Sequence, residues 1–249
     1  MSLFDAIILG LVQGFTEFIP VSSSGHLVVV REFFDIHGTD LAFDAVLQLS
    51  TVLAVVAYFF REIPQILKDK SFVLTLVLGT IPGVILGMIL ESKMETVFRS
   101  SFLVAWTLLI GAAIMYASEK AALQNKALNP QRGLLIGLFQ SLALVPGISR
   151  SGATISGGLF AGLTREAATR FSFLLSVPII AGSGLKKLLE LSSSGSLQNL
   201  GLPLILGSIA AFLSGLWAVR FLLHYLKNHK LTPFIWYRII LAALIFAFI

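Results

Sequence analysis

Residues Gly10–His26 read GLVQGFTEFIPVSSSGH, and this stretch decides how the chain is organised. It opens as an apolar helix with Gln13 and Glu17 four residues apart, breaks at Pro20, and continues through Ser22, Ser23, Ser24 and Gly25 to His26. Residues four apart on a helix share a face, so Gln13 and Glu17 point the same way. Residues Gly137–Ala153, GLFQSLALVPGISRSGA, have the same construction. At an offset of 127 the two stretches agree at Gly10/Gly137, Leu11/Leu138, Gln13/Gln140, Ser22/Ser149, Ser24/Ser151 and Gly25/Gly152. The sequence therefore reads as one integral domain holding an internal repeat. Repeat one covers 1–118, a polar connector 119–131, and repeat two 132–249.

The solvent for this chain is lipid. Of its 249 residues 56% are hydrophobic and only 12% charged, with mean hydropathy +0.90; soluble domains carry about 25% charged residues. No alternating strand pattern runs through it, which excludes an outer-membrane barrel. A spanning helix needs about 20 mostly apolar residues. Stretches at 41–60, 72–90, 101–118, 168–189, 201–223 and 233–249 predict six of them. Segments 3–34 and 131–163 each hold two short apolar arms around a Pro/Gly/Ser break. Irregular backbone at membrane depth is tolerated only inside protein or beside water, so each segment is expected to be a re-entrant helical hairpin. Three spans follow each hairpin, and an odd number inverts the second copy. The expected fold is an all-α polytopic membrane protein with six spanning helices, two re-entrant hairpins and an inverted-topology repeat, the hairpin tips meeting near the midplane.

On this topology eleven Lys and Arg face one side, among them Arg61, Lys120, Arg132 and Lys227. Arg31, Lys93, Arg99, Lys186 and Lys187 face the other. The positive-inside rule then places both termini outside, and the net charge of +5 reflects this loop bias rather than nucleic acid. MSLFDAIILG has no basic leader, so the first helix is expected in the mature fold. The absence of Cys excludes disulfides and thiolate metal sites.

A charged side chain at the bilayer centre costs about 2.5–3.5 kcal/mol, which makes intramembrane charges functional candidates. The expected tips contain two, Glu17 and Arg150. They mark where the repeats differ: Glu17 stands opposite Leu144, and Ser23 opposite Arg150. One hairpin brings the carboxylate and the other the cation, so the site is composite. Pro146–Thr154, PGISRSGAT, leads from a break into a helix start whose free N–H groups attract anions. The Arg150 fork and the hydroxyls of Ser149, Ser151 and Thr154 add donors suited to phosphate, and Ser22 and Ser24 repeat the scheme. His26 supplies an imidazole that changes charge near operating pH. Glu17 with Gln13 can hold a divalent cation together with phosphate oxygens, or act as acid and base. Asp44 is a candidate to support the site from further out, or a plain helix N-terminal charge. His37, His224 and His229 read as surface or packing residues.

Gln13–Glu17 as (E/Q)xxxE, PVSSSGH (Pro20–His26) and PGISRSGAT (Pro146–Thr154) together resemble the bacterial undecaprenyl-diphosphate phosphatase family of the bacitracin-resistance type. The similarity continues through FDAVLQLSTVLAV (Phe43–Val55), ATISGG (Ala153–Gly158) and FSFLLSVP (Phe171–Pro178). The resemblance implies a hydrolase of the bacterial inner membrane that removes the terminal phosphate of undecaprenyl diphosphate, recycles the carrier for cell-wall polymers, and uses a divalent cation such as Mg2+ or Ca2+. It carries over Glu17, Ser23, His26 and Arg150 as key residues, with Ser149, Ser151 and Thr154 around the phosphates. The first motif position is Gln13 where Glu is commonest, so the carboxylate role falls on Glu17. Two routes stay open: attack by Ser23, activated by His26 or Glu17, or attack by water with His26 protonating the leaving oxygen. The expected partners are the polyprenyl diphosphate and membrane lipids, not nucleic acid, with homo-oligomerisation undecided and the site opening to the periplasmic face. The rival reading is a transporter or flippase for a lipid phosphate or small anion, since inverted repeats with broken helices are also a transporter design.

Overall fold

The computed structural model describes the chain apart from residues 37–40, 98–100, 123–124, 194–196 and 249, and apart from the side chains of 41–42, 91–97, 190–193 and 197–200. His37 and Arg99 therefore lie outside the described residues, as does the side chain of Lys93. Among the described residues every regular element is an α-helix.

Helix α1 (Leu3–Phe18) starts at a capping box: Ser2 Oγ accepts the Asp5 N–H at 3.1 Å, and the Asp5 carboxylate accepts the Ser2 N–H at 2.9 Å. It stops because Pro20 pushes the preceding residue out of helical geometry, and Ile19 sits at ψ 132°. Helix α2 (Ser23–Phe33) follows, then α3 (Leu41–Tyr58), the short α4 (Ile63–Lys68), α5 (Lys70–Val97) and α6 (Ser101–Ala121). The pattern restarts with α7 (Pro130–Leu142), where Pro130 fills a first-turn position that needs no N–H and Asn129 caps the Arg132 N–H at 2.9 Å. It continues through α8 (Arg150–Phe160), α9 (Arg165–Ser193), α10 (Leu197–Asn228, kinked at Gly201) and α11 (Thr232–Phe248).

Segments 3–34 and 131–163 thus each fold as two short helices around a break. Of the six expected spans, four are long and apolar enough to cross a membrane: Lys70–Leu90, Ser101–Ala121, Arg165–Leu189 and Gly201–Asn228. The other two, Phe43–Tyr58 and Thr232–Phe248, are apolar but shorter. The chain is a helical membrane protein, and side chains such as Leu74, Trp106, Leu213 and Ile240 stay exposed on its outer surface. Helix α4 was not expected; six residues starting at Ile63-Pro64 are too few to show a period.

Lipid gives helices no hydrophobic reason to associate, so they pack where small residues let backbones approach. Helix α1 lies along α10, and α7 lies along α5. At both crossings a glycine faces a glycine. A Cβ on Gly10 would sit well inside contact distance of the Gly207 carbonyl, and one on Gly137 would do the same to Gly79. Helices α3 and α9 pack against each other, and α6 packs on α11. A buried cluster including Phe18, Phe59, Phe171 and Phe173 fills the interior. At one end, Glu119 binds Arg165 and accepts the Leu231 N–H at 2.8 Å, tying α6, α9 and the α10–α11 turn.

Candidate active site

The two breaks have the same local structure. Ser22 and Ser149 are the N-caps of α2 and α8, and both hold positive φ, 76° and 72°. Left-handed backbone at a non-glycine residue costs about 1–2 kcal/mol, so the surrounding contacts must hold these turns. Each cap hydroxyl accepts an N–H three residues on, Gly25 at 3.3 Å and Gly152 at 3.2 Å. Each also meets the serine two residues on, Ser24 at 3.3 Å and Ser151 at 3.2 Å. These four serines, expected around a phosphate, thus use their hydroxyls to shape the helix starts; Ser151 also donates to the Ile19 carbonyl at 3.4 Å, across the tips. Thr154 is likewise engaged, donating to the Arg150 carbonyl at 2.8 Å and meeting Ser172 Oγ at 2.6 Å.

Where the tips differ, they meet. Glu17 Oε1 accepts from Arg150 Nη2 at 2.9 Å, while Oε2 accepts from Ser23 Oγ at 2.7 Å and Gln13 Nε2 at 2.8 Å. Three donors from two hairpins converge on one carboxylate. The pair is little exposed, the Arg150 and Glu17 side chains at 13% and 6%. Two buried polar atoms here lack a protein partner, Gln13 Oε1 and Arg150 Nε. The first is a spare acceptor and the second a spare cationic donor, and both are what a metal–phosphate ligand uses.

His26 stands apart from this group. One ring nitrogen, Nδ1, meets the Ser22 carbonyl at 2.7 Å, and the other, Nε2, meets Tyr237 Oη at 2.6 Å. The direct His26–Ser23 contact that would activate the serine is therefore absent among the described hydrogen bonds. Asp44 is bound by Arg31, with no described contact to the tips. His224 and His229 are exposed, as their sequence context implied.

Three residues that sequence reasoning passed over brace the site. Ser172 on α9 receives Arg150 Nη1 on its carbonyl at 3.4 Å and holds Thr154. Tyr237 holds His26. Arg238, fully buried on α11, donates to the carbonyls of Pro20 (3.4 Å), Gly147 (2.6 Å), Ile148 (2.9 Å) and Leu108 (3.2 Å). One guanidinium thereby ties both tips to α6 without a carboxylate partner among its hydrogen bonds. The available signal was a lone charge inside an apolar helix.

A hard divalent cation prefers oxygen ligands. Glu17 and Gln13 Oε1 fit that preference, but no group of three or more His, Cys, Asp or Glu able to hold a metal occurs among the described residues. The donor set is complete only with oxygens supplied by a ligand.

The family model for bacitracin resistance protein BacA matches residues 6–244. The undecaprenyl-diphosphatase of Moorella thermoacetica is 43% identical, covering 99% of this chain and 98% of its own. That of Halothermothrix orenii is 41% identical over 95% and 94%. The Micrococcus luteus enzyme of the same name is 39% identical over 99% and 97%.

Proposed function

The chain belongs to the bacitracin resistance protein BacA family, and from that premise we propose that it hydrolyses undecaprenyl diphosphate to undecaprenyl phosphate and inorganic phosphate. The observation that carries the chemistry is the single carboxylate of Glu17 held between Ser23 Oγ and Arg150 Nη2. A nucleophile, a base at hydrogen-bond distance and a third group orienting the base form the usual arrangement for covalent catalysis.

The terminal phosphate binds the free Nε edge of Arg150 and the N-terminus of α8, where guanidinium and helix dipole stabilise charge on its oxygens. Glu17 takes the Ser23 proton, Oγ attacks the terminal phosphorus, and the bond to the bridging oxygen breaks. Undecaprenyl phosphate leaves with the electron pair. Glu17 passes its proton to the departing phosphate, then takes one from the water that opens the phosphoserine, and returns it to Ser23 Oγ as inorganic phosphate forms. A divalent cation fits Glu17 and Gln13 Oε1 and would neutralise charge on the diphosphate. The geometry favours Ser23 over direct attack by water assisted by His26, because both imidazole nitrogens are engaged elsewhere.

The matching caps at Ser22 and Ser149 and the paired glycine crossings support the repeat reading, with α1–α2 and α7–α8 as re-entrant hairpins, and the Lys/Arg loop bias supports both termini on the periplasmic side of the bacterial inner membrane. The deciding experiment is phosphate release from undecaprenyl diphosphate by purified protein in detergent, with and without chelator. Release abolished in Arg150→Ala supports hydrolysis. Lipid phosphate movement without release would establish the transport reading instead. A phosphoryl-enzyme lost in Ser23→Ala identifies the nucleophile, and normal turnover in that variant eliminates it.

A further inference from the structure

The second tip shows what the first does not need. Ala153 occupies the position equivalent to His26, donates its N–H to the Ser149 carbonyl at 2.9 Å, and leaves Ser149 at the same positive φ as Ser22. The turn therefore forms without an imidazole. His26 makes the same backbone bond to Ser22, at 3.1 Å, and adds a ring that the cap geometry does not require.

That ring has a defined protonation pattern. A carbonyl oxygen only accepts, so the 2.7 Å contact with Ser22 places a proton on Nδ1. In the neutral ring Nε2 then carries the lone pair, and Tyr237 Oη at 2.6 Å is its donor. The two rings are nearly parallel, 8° apart, so the phenol holds the plane of the imidazole. Ser22, the residue that Nδ1 grips, directly precedes Ser23, whose hydroxyl lies on Glu17. Tyr237 and Arg238 are consecutive on α11, so one turn of one helix holds the first tip by its imidazole and both tips by their carbonyls.

We propose that Tyr237 is a positioning residue for the hydrolysis: it holds the His26 ring in place, and the held ring adds to the Ser22 turn, which forms without it, the restraint that aims Ser23 at the terminal phosphate. This rests on the phosphatase reading above. The charged and titratable groups beside His26 among the described contacts are Tyr237, at hydrogen-bond distance, and Arg238, the next residue of α11. Between α6 and α2, Val29 packs among Val104, Ala105 and Leu108, and at the start of α6 Ser101 Oγ donates to the Glu32 carboxylate at 2.6 Å.

Two measurements on the full-length protein test the proposal. The chain has only four histidines, so nitrogen NMR of 15N-histidine-labelled protein in detergent, with His26→Ala to assign the signal, reads the tautomer directly. The wild type should give a protonated Nδ1 and an unprotonated Nε2, and Tyr237→Phe should keep Nδ1 protonated but shift the Nε2 signal, because its donor is gone. Steady-state phosphate release then asks whether the two residues act as a unit. Tyr237→Phe should lower kcat about tenfold with KM nearly unchanged, and His26→Ala should lower it further. Adding Tyr237→Phe to His26→Ala should cost nothing more. Losses that multiply, an unchanged kcat in Tyr237→Phe, or a wild-type ring protonated on Nε2 would each overturn the proposal. Should Tyr237→Phe fold poorly, fluorotyrosine at 237 keeps the shape and strengthens the donor; it should retain the tautomer and kcat, and loss of either would also overturn it. An inactive wild type with the expected tautomer would instead refute the phosphatase reading alone.

Discussion

Glu17→Gln isolates the chemistry of the site from its shape. Three donors converge on the carboxylate at 2.7–2.9 Å, from Ser23, Gln13 and Arg150. The amide has one oxygen and one NH2, and the oxygen must remain on Arg150, because two donors cannot face each other. The NH2 then faces Ser23 and Gln13. Gln13 can turn its spare Oε1 inward, and the Ser23 hydroxyl can rotate to accept, so the packing survives. What is lost is the proton acceptor for Ser23 and the counter-charge for Arg150. General-base assistance is worth about 10²–10⁴-fold, so kcat should fall by that factor while the protein stays folded. Removing one partner of a buried ion pair costs about 3–5 kcal/mol when nothing replaces it; the amide oxygen still accepts from Arg150, so the loss should lie below that range. Purified Glu17→Gln and wild type compared for phosphate release from undecaprenyl diphosphate, alongside thermal melts, give both quantities. A variant within about threefold of wild type would remove Glu17 from the base role. The double variant Glu17→Gln/Arg150→Met should recover about 0.5–3 kcal/mol relative to the sum of the single effects, since the two groups touch.

Gly10→Ala and Gly137→Ala should each destabilise by about 1–3 kcal/mol, because the added methyl meets an opposing backbone carbonyl. Gly182→Ala in α9, with no atom within 4 Å of the new Cβ, should instead be neutral or stabilise by about 0.5–1 kcal/mol; melting temperatures of the three check this. Ser149→Ala should cost more than Ser149→Gly, since both lose the hydroxyl cap, worth about 1 kcal/mol, but only glycine relieves the positive φ. Arg238→Lys should not rescue what Arg238→Met loses in activity and thermal stability, because an ammonium has no planar fork to reach Pro20, Gly147 and Ile148 together.

The helical segments were legible because lipid imposes a coarse rule: runs of about 20 apolar residues stand out, and Pro-Gly-Ser breaks inside them stand out equally. The Gln13–Glu17 contact was legible for a different reason, since four-residue spacing on a helix fixes it locally. The opposition of Glu17 and Arg150 could be read because the repeat let one half be subtracted from the other. The bracing residues Ser172, Tyr237 and Arg238 could not, since α9 and α11 reach the tips only through tertiary packing. His26 shows the limit of adjacency: three residues from Ser23 in sequence, its ring turns instead to α11. The serine hydroxyls at the tips meet the helix starts for a local reason, since a hydroxyl beside a helix start serves the backbone first.

Arg238 has a consequence for the resting protein. The formal charges of Glu17 and Arg150 at the tips and of Arg238 on α11 sum to +1, and the positive excess lies on a side chain with no solvent exposure. A buried cation without a counter-charge is costly, and a bound anion offsets that cost. Any phosphate that enters tightens the fold as mass action requires, by about 2.7 kcal/mol at a hundred times its dissociation constant. Release of inorganic phosphate becomes the uphill part of the cycle, and that phosphate should act as a product inhibitor competing with the lipid diphosphate for the Nε edge of Arg150.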